Sequence, residues 1–231
     1  MNGVTFDTKH SYDDFGLILK HRVIGIPDPK LEIVDVPGMN GSLDMTDFFG
    51  EVFYKNRTLT LQFMYYGDVE QFHNVRTAIA KHLHAKEMQI IFDDDPNYYY
   101  KGRCTIDKFE TYHKGVVANV VIVCDVDPYK YELNSNGSDW LWDPFSFEDG
   151  IINNSQYTVS GTRTVTLINR DMIVSPDIVS TAPMTLTFNK KTYAIKTGKQ
   201  TMYEVRLQPG ENVLTFTGNG TVTITYRGGI I

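Results

Sequence analysis

Leu59, Leu61 and Phe63 alternate with Thr60 and Gln62 in "NRTLTLQFMYY" (56–66), the period of two expected of a half-buried β-strand. The same pattern recurs along the first half of the chain. "GVTFDTKHSYDDFGLIL" (3–19) reads as two short strands around a polar turn. "KLEIVDVPG" (30–38) alternates, with Leu31, Ile33 and either Val34 or Val36 on one face. Pro37-Gly38 ends it, and Asn40-Gly41 follows at once. Both pairs mark tight turns, where glycine takes positive φ at little cost. "EMQIIF" (87–92), "YYYKGRCTIDKF" (98–109) and "GVVANVVIVCDV" (115–126) complete the strands of this half.

One stretch follows a different period. In "VEQFHNVRTAIAKHLHA" (69–85), Phe72, Val75, Ile79 and Leu83 recur at spacings of three and four. They predict an amphipathic helix whose stripe suits a sheet, with Asp68 as its N-cap. From residue 151 onward no such stripe occurs. Short threonine-rich runs succeed one another: "TRTVTLIN", "MTLTF", "YEVRL", "NVLTFTG" and "TVTITYR". Glycine and proline punctuate them about every ten residues, the signature of an antiparallel β-sandwich. Between the halves, "ELNSNGSDWLWDPFSFEDG" (132–150) is rich in Asn, Ser, Gly and Asp and reads as a linker. Trp140 and Trp142 lie on one side of it and are expected to pin it to a neighbour. The expected organisation is an N-terminal domain at 1–132, a linker at 133–150 and a C-terminal domain at 151–231. The fold class is mainly β: a β-rich α+β first domain, with one main helix on a sheet or split barrel, then the sandwich.

Charge sharpens that division. Net charge is −6 over 231 residues, but residues 151–231 carry eight basic and four acidic side chains, leaving −10 for residues 1–150. Two units with different neighbours are expected. Neither half has the basic, aromatic-laced patch of a nucleic-acid binder. No run approaches the length and apolarity of a membrane-spanning helix. The N-terminus lacks the basic start and apolar core of a secretion signal. Cys104 and Cys124 lie in apolar runs without a CxxC, so they cannot make a disulfide framework or a zinc site. They read as small buried hydrophobes in a protein made in a reducing cytoplasm.

Little in the chain points to catalysis or to a cofactor. "IFDDDPNYYY" (91–100) groups three aspartates, but Asp, Asn and Pro at 93–97 are turn chemistry. The spacing, glycine and distal glutamate of a calcium loop are missing. Adjacent residues of an extended chain point opposite ways, so these aspartates do not form a catalytic pair. His82 and His84 stand about 200° apart around a helix and cannot chelate one metal. His73 and His84 are expected on a solvated face. No nucleophile elbow, zinc-protease, P-loop or dinucleotide motif occurs.

Taken in order, "SYDDFGLILKHR", "VDVPGMNGSLDMT", "VFYKNRTLTLQF", the helix, "IIFDDDPNYYYKGR" and "DPYKY" resemble the N-terminal domain of the distal tail protein (Dit) family of long-tailed phages. "TVSGTRTVTLINRDMIVSPDIV" and "LQPGENVLTFTGNGTVTITYR" resemble that family's C-terminal galectin-like sandwich. The pattern is commonest in phages and prophages of Gram-positive bacteria. The resemblance implies a structural virion protein and not an enzyme. It implies a homohexameric ring at the distal end of the tail, assembled in the host cytoplasm around a channel that DNA passes without specific binding. Implied partners are the tail tube protein, the tail-associated tip protein and a receptor-binding or baseplate protein. Neither a membrane nor a cofactor is implied. "PGMNGSLDMTDFFGEVFYKN" (37–56) is expected to clasp a neighbouring subunit. Candidate contact residues are Gly38, Asn40, Gly41, Asp44, Phe48, Phe49 and Asn56, together with Asp94, Asp95 and Asn97 of the polar turn. The alternative is a carbohydrate-binding module for host attachment. Tyr157, Phe188, Tyr193, Tyr203, Phe216 and Tyr226 are the aromatics it would need, though most read as core.

Overall fold

The computed structural model describes residues 3–48, 50–67, 69–112, 117–133 and 156–231. Asp68, Phe49, Trp140, Trp142 and nearly all of the expected linker lie outside the described residues. The chain divides into two compact units, residues 1–130 and 131–231. The described residues are mainly β, with one helix.

The first unit contains β1 (Val4–Phe6), β2 (Lys9–His10), β3 (Leu17–Ile24), β4 (Ile33–Val34), β5 (Leu43–Asp44) and β6 (Arg57–Tyr66). Helix α1 (Val69–Leu83), β7 (Lys86–Phe92), β8 (Asp95–Tyr112) and β9 (Val117–Val126) follow. One antiparallel sheet runs in the order β2-β1-β7-β8-β9-β6-β3. The alternation read at 56–66 is β6, where Leu59, Leu61 and Phe63 are fully buried. The helical stripe also faces inward: Phe72, Ile79 and Leu83 are buried and Val75 partly so. α1 packs on β7 and β8, with Phe72 edge-on to Phe109 at 5.3 Å. Burial of each such side chain contributes roughly 1.5–3 kcal/mol.

Both cysteines are in this core. Neither His82 nor His84 is idle: the His82 ring hydrogen-bonds to the Phe6 carbonyl at 2.9 Å, and His84 Nδ1 accepts the Ile106 N–H at 3.2 Å. Arg57 is a polar exception on the core side. It stacks on Tyr100 at 4.8 Å, while its Nε and Nη2 are buried with no hydrogen-bond partner. Burial holds this guanidinium below its ordinary pKa.

β10 (Lys130–Glu132) straddles the division. The second unit adds β11 (Gln156–Asn169), β12 (Asp177–Ser180), β13 (Met184–Phe188), β14 (Lys191–Ile195), β15 (Gly198–Thr201), β16 (Gly210–Thr225) and β17 (Gly229–Ile230). β16 and β11 form one long antiparallel ribbon, which bends where Gly161 faces Gly218. One half of β16 pairs β13, which pairs β14. The other half pairs β12, which pairs β15. The ribbon thus serves both layers of a sandwich around one core that includes Leu167, Leu186, Phe216 and Ile224. The bend needs small residues: Gly218 and Gly220 have φ of 148° and 145°, and a Cβ there would lie 2.9 and 2.8 Å from Met184.

"YEVRL" is the one alternating run here that does not form a strand. Only Leu207 pairs, in a single bridge with Val174, although Val205 and Leu207 are fully buried. Alternation marked its burial but not its hydrogen bonding. Phe188, Phe216 and Tyr226 are core, whereas Tyr203 is 76 % exposed.

Candidate docking arm and the anchored aspartate turn

Two elements of the first unit carry the candidate contact residues. The larger is the segment from Gly25 to Asn56, which leaves the sheet after β3 and rejoins it at β6. Pro27, Pro29 and Pro37 each remove a donor, so a continuous ladder cannot form. The two limbs are held at intervals instead. Gly25 N donates to the Thr58 carbonyl at 3.0 Å, Lys55 N to Asp28 at 2.8 Å and Lys30 N to Phe53 at 2.7 Å. Further out, β4 pairs with β5 and Met45 N donates to the Glu32 carbonyl at 2.8 Å. Gly38 and Gly41 close the tip with φ of 84° and 79°, which the Pro-Gly and Asn-Gly pairs foretold.

This arm is ordered by hydrogen bonds but has no core. None of its described residues joins the buried cluster of the unit. Ile26 is 84 % exposed, Phe48 67 %, Leu31 59 % and Ile33 57 %, and Val34, Val36, Met39, Leu43 and Phe53 are exposed too. A run of large apolar side chains this dense is the mark of a surface made to be covered. Acids are interspersed with them. The Thr46 hydroxyl and N–H hold the Asp44 carboxyl below its usual range, the N–H donating at 2.9 Å. Gly38, Asn40, Gly41, Asp44 and Phe48 therefore lie together on one arm. Asn56 stands at its root and reaches Asp125 at 3.4 Å.

Asp94, Asp95 and Asn97 lie elsewhere, where β7 turns into β8. The turn itself is only Asp93-Asp94, since Phe92 already pairs with Asp95. Each aspartate meets its own basic side chain. Asp93 accepts from Gly3 N at 2.6 Å and lies 3.2 Å from His10 Nε2. Asp94 takes a two-pronged bond from Arg22, both contacts at 2.6 Å. Asp95 pairs with Lys130 at 2.7 Å. Two of these side chains also sit on aromatic faces: Arg22 on Phe92 at 4.6 Å and Lys130 on Tyr98 at 4.2 Å. The Arg22 hydrogen bonds keep the Asp94 carboxyl below its ordinary pKa, and Asp94 raises that of Arg22. The turn is thus fastened to three other elements. Asn97 sits in the bulged start of β8, where register shifts between Ile90 and Phe92. Sequence reading missed these partners, for nothing local links Arg22 to a residue 72 positions away. Among the described residues no group of His, Cys, Asp and Glu could hold a metal ion.

Residues 10–117, which span the arm, the helix and the aspartate turn, match the family model of the phage tail protein RIFT-related domain. The solved structure of the Dit protein of phage SPP1 has the same fold, with a TM-score of 0.60 at 14 % identity. That likeness covers 98 % of this chain and 99 % of the SPP1 protein. The chain therefore has a Dit-like fold, and its residues 10–117 are similar to a phage tail domain. The SPP1 protein is described as a paradigm of the hub adsorption apparatus in phages infecting Gram-positive hosts. No curated protein matches the chain in sequence. Both matches are to phage tail proteins. No helix among the described residues is long and apolar enough to cross a membrane.

Proposed function

We propose that this protein is a Dit-like hub at the distal end of a phage tail. Six copies close a ring around a channel for DNA, and each arm lies across the neighbouring copy. The observation that carries this reading is the arm itself, apolar and ordered yet uncovered within its own chain. A neighbouring copy supplies a cover at no cost in specificity, because every copy offers the same surface. Such a contact is heterologous, arm to sheet, and heterologous contacts close into rings when the rotation permits.

On this reading the tail tube protein stacks on one face and the tail-associated tip protein on the other. The second unit binds a receptor-binding or baseplate protein. Gly38, Asn40, Gly41, Asp44, Phe48, Phe49 and Asn56 are contacts of the clasp, and Asp94, Asp95 and Asn97 are contacts of a ring face. The acidic balance of residues 1–150 supports a bore that DNA slides through, since fixed positive charge would hold phosphate. Ring assembly takes place in the bacterial host cytoplasm.

Light scattering of the purified protein tests the ring. Six copies of 26.4 kDa give about 158 kDa, and negative-stain images of that peak should show rings with a central hole. A monomer at all concentrations, with no ring on adding the tube protein, would overturn the reading. A lectin-like role for the second unit has one observation in its favour, the exposed Tyr203 beside Glu204. A glycan array without binding above background removes it.

A further inference from the structure

We propose that Cys104 and Cys124 form a cross-strand disulfide when the protein meets a two-electron thiol oxidant such as a peroxide. This goes beyond the hub role and does not depend on it. The argument starts from register. Cys104 of β8 stands directly opposite Cys124 of β9. Directly opposed residues of antiparallel strands point to the same face, with Cα atoms about 4.5 or 5.5 Å apart according to the type of pair. Either spacing falls inside the roughly 4.4–6.8 Å that a disulfide spans. The two Sγ atoms are 2.7 Å apart, with Cys124 donating to Cys104. Both residues are fully buried.

A bulge creates this opposition. Beyond it, Lys108 pairs with Val121 and Tyr112 with Val117; extended without a break, that register sets Cys104 against Asp125. The shift between Ile106 and Lys108 moves it opposite Cys124 instead. The same surroundings keep the pair reduced while the sheet is closed. The hydrogen bond to Cys104, then burial, push the Cys124 thiol up, away from the thiolate that attacks oxidants. The bond therefore forms when the strands open outside the reducing host, or when the unfolded chain refolds in the presence of an oxidant.

The chemistry balances. One thiolate attacks the peroxide, the O–O bond breaks and hydroxide leaves, giving a sulfenic acid. The second sulfur displaces the sulfenic oxygen: S–S forms, S–O breaks, and the oxygen leaves as water after taking the second thiol proton. The sulfur pair loses two electrons, and peroxide is reduced to two waters. The product ties together β8 and β9, neighbours in the middle of the sheet.

The test uses the full chain in two arms. One sample is held folded in diamide, which oxidises thiol pairs. The other is unfolded in urea and diluted into an oxidised and reduced glutathione buffer, so that burial does not limit access. Expected from the refolding arm is a monomer about 2 Da lighter, the two thiol hydrogens, with a slower change or none in the folded arm. A linked peptide pair containing Cys104 and Cys124, and a Tm raised by about 5 °C that reductant reverses, should accompany it. Cys104→Ala and Cys124→Ala should each lose the reductant-dependent shift, whatever their own stability. Two free thiols in both arms, mixed glutathione disulfides alone, links between chains, or a linked pair without a rise in Tm would overturn the proposal.

Discussion

The arm from Gly25 to Asn56 and the hairpin of β8 and β9 are both long antiparallel ribbons rich in apolar residues, and they meet opposite fates. In β9, Val120, Ile122, Cys124 and Val126 are fully buried; in the arm, Ile26, Leu31, Ile33 and Val36 face solvent. Hydrophobicity does not separate them. Backbone donors do. β9 pairs along its whole length with β6 on one side and β8 on the other. The arm's prolines leave it a short β4–β5 ladder and scattered bonds. It cannot join the sheet, so the helix that covers the sheet cannot cover it. An apolar alternating ribbon states a need for cover without stating which molecule provides it.

The comparison breaks most readily at the core. Ile122→Ala should destabilise the protein by about 2–5 kcal/mol in a urea titration, because it leaves a cavity beneath a packed sheet. A loss below ~1 kcal/mol would mean that this sheet is not the well-packed partner assumed here. Ile33→Asp in the arm should leave stability within about 0.5 kcal/mol while abolishing the ring peak in light scattering. If instead the variant melts early and still assembles, the arm belongs to its own fold and the clasp is wrong.

Arg57→Met sharpens the contrast from the polar side. Removing a buried guanidinium without hydrogen-bond partners for Nε and Nη2 should be neutral or stabilising by about 1 kcal/mol. A clear loss in calorimetry would show that the stacking on Tyr100 matters more than the desolvation. Asp94→Asn should have the smallest effect, under about 1 kcal/mol, because its pair with Arg22 is partly exposed. Its pH dependence carries the sign. The folded-state pKa is depressed, so the contribution is present above the unfolded carboxylate value and is lost as pH falls through the folded one. Stability curves of wild type and variant should therefore converge toward acid; a gap that widens there would refute the pairing.

Spacing alone identified the helix, through Phe72, Val75, Ile79 and Leu83, and turn chemistry identified the tip at Gly38 and Gly41 and a turn at 93–97, of which the structure keeps Asp93-Asp94 and gives the rest to β8. These succeed because their causes are local: a 3.6-residue period, and side chains that bond their own backbone. The β12, β14 and β15 strands gave no comparable signal, being short and held in place by the bent ribbon of β11 and β16. Of the candidate contacts, Gly38, Asn40 and Gly41 were legible as tight turns, whereas a clasp at 37–56 came only from the family resemblance and the exposure of its apolar side chains only from the structure.

What the chain determined by itself was its inventory of strands, one helix, tight turns and an acidic first half, because each follows from side chains within a few residues of one another. Only the tertiary structure decided that Asp93, Asp94 and Asp95 meet His10, Arg22 and Lys130, that Cys104 faces Cys124, and that the arm stands outside the core. Those outcomes rest on pairing register and on which surfaces find a neighbour, and a one-residue bulge is enough to change either.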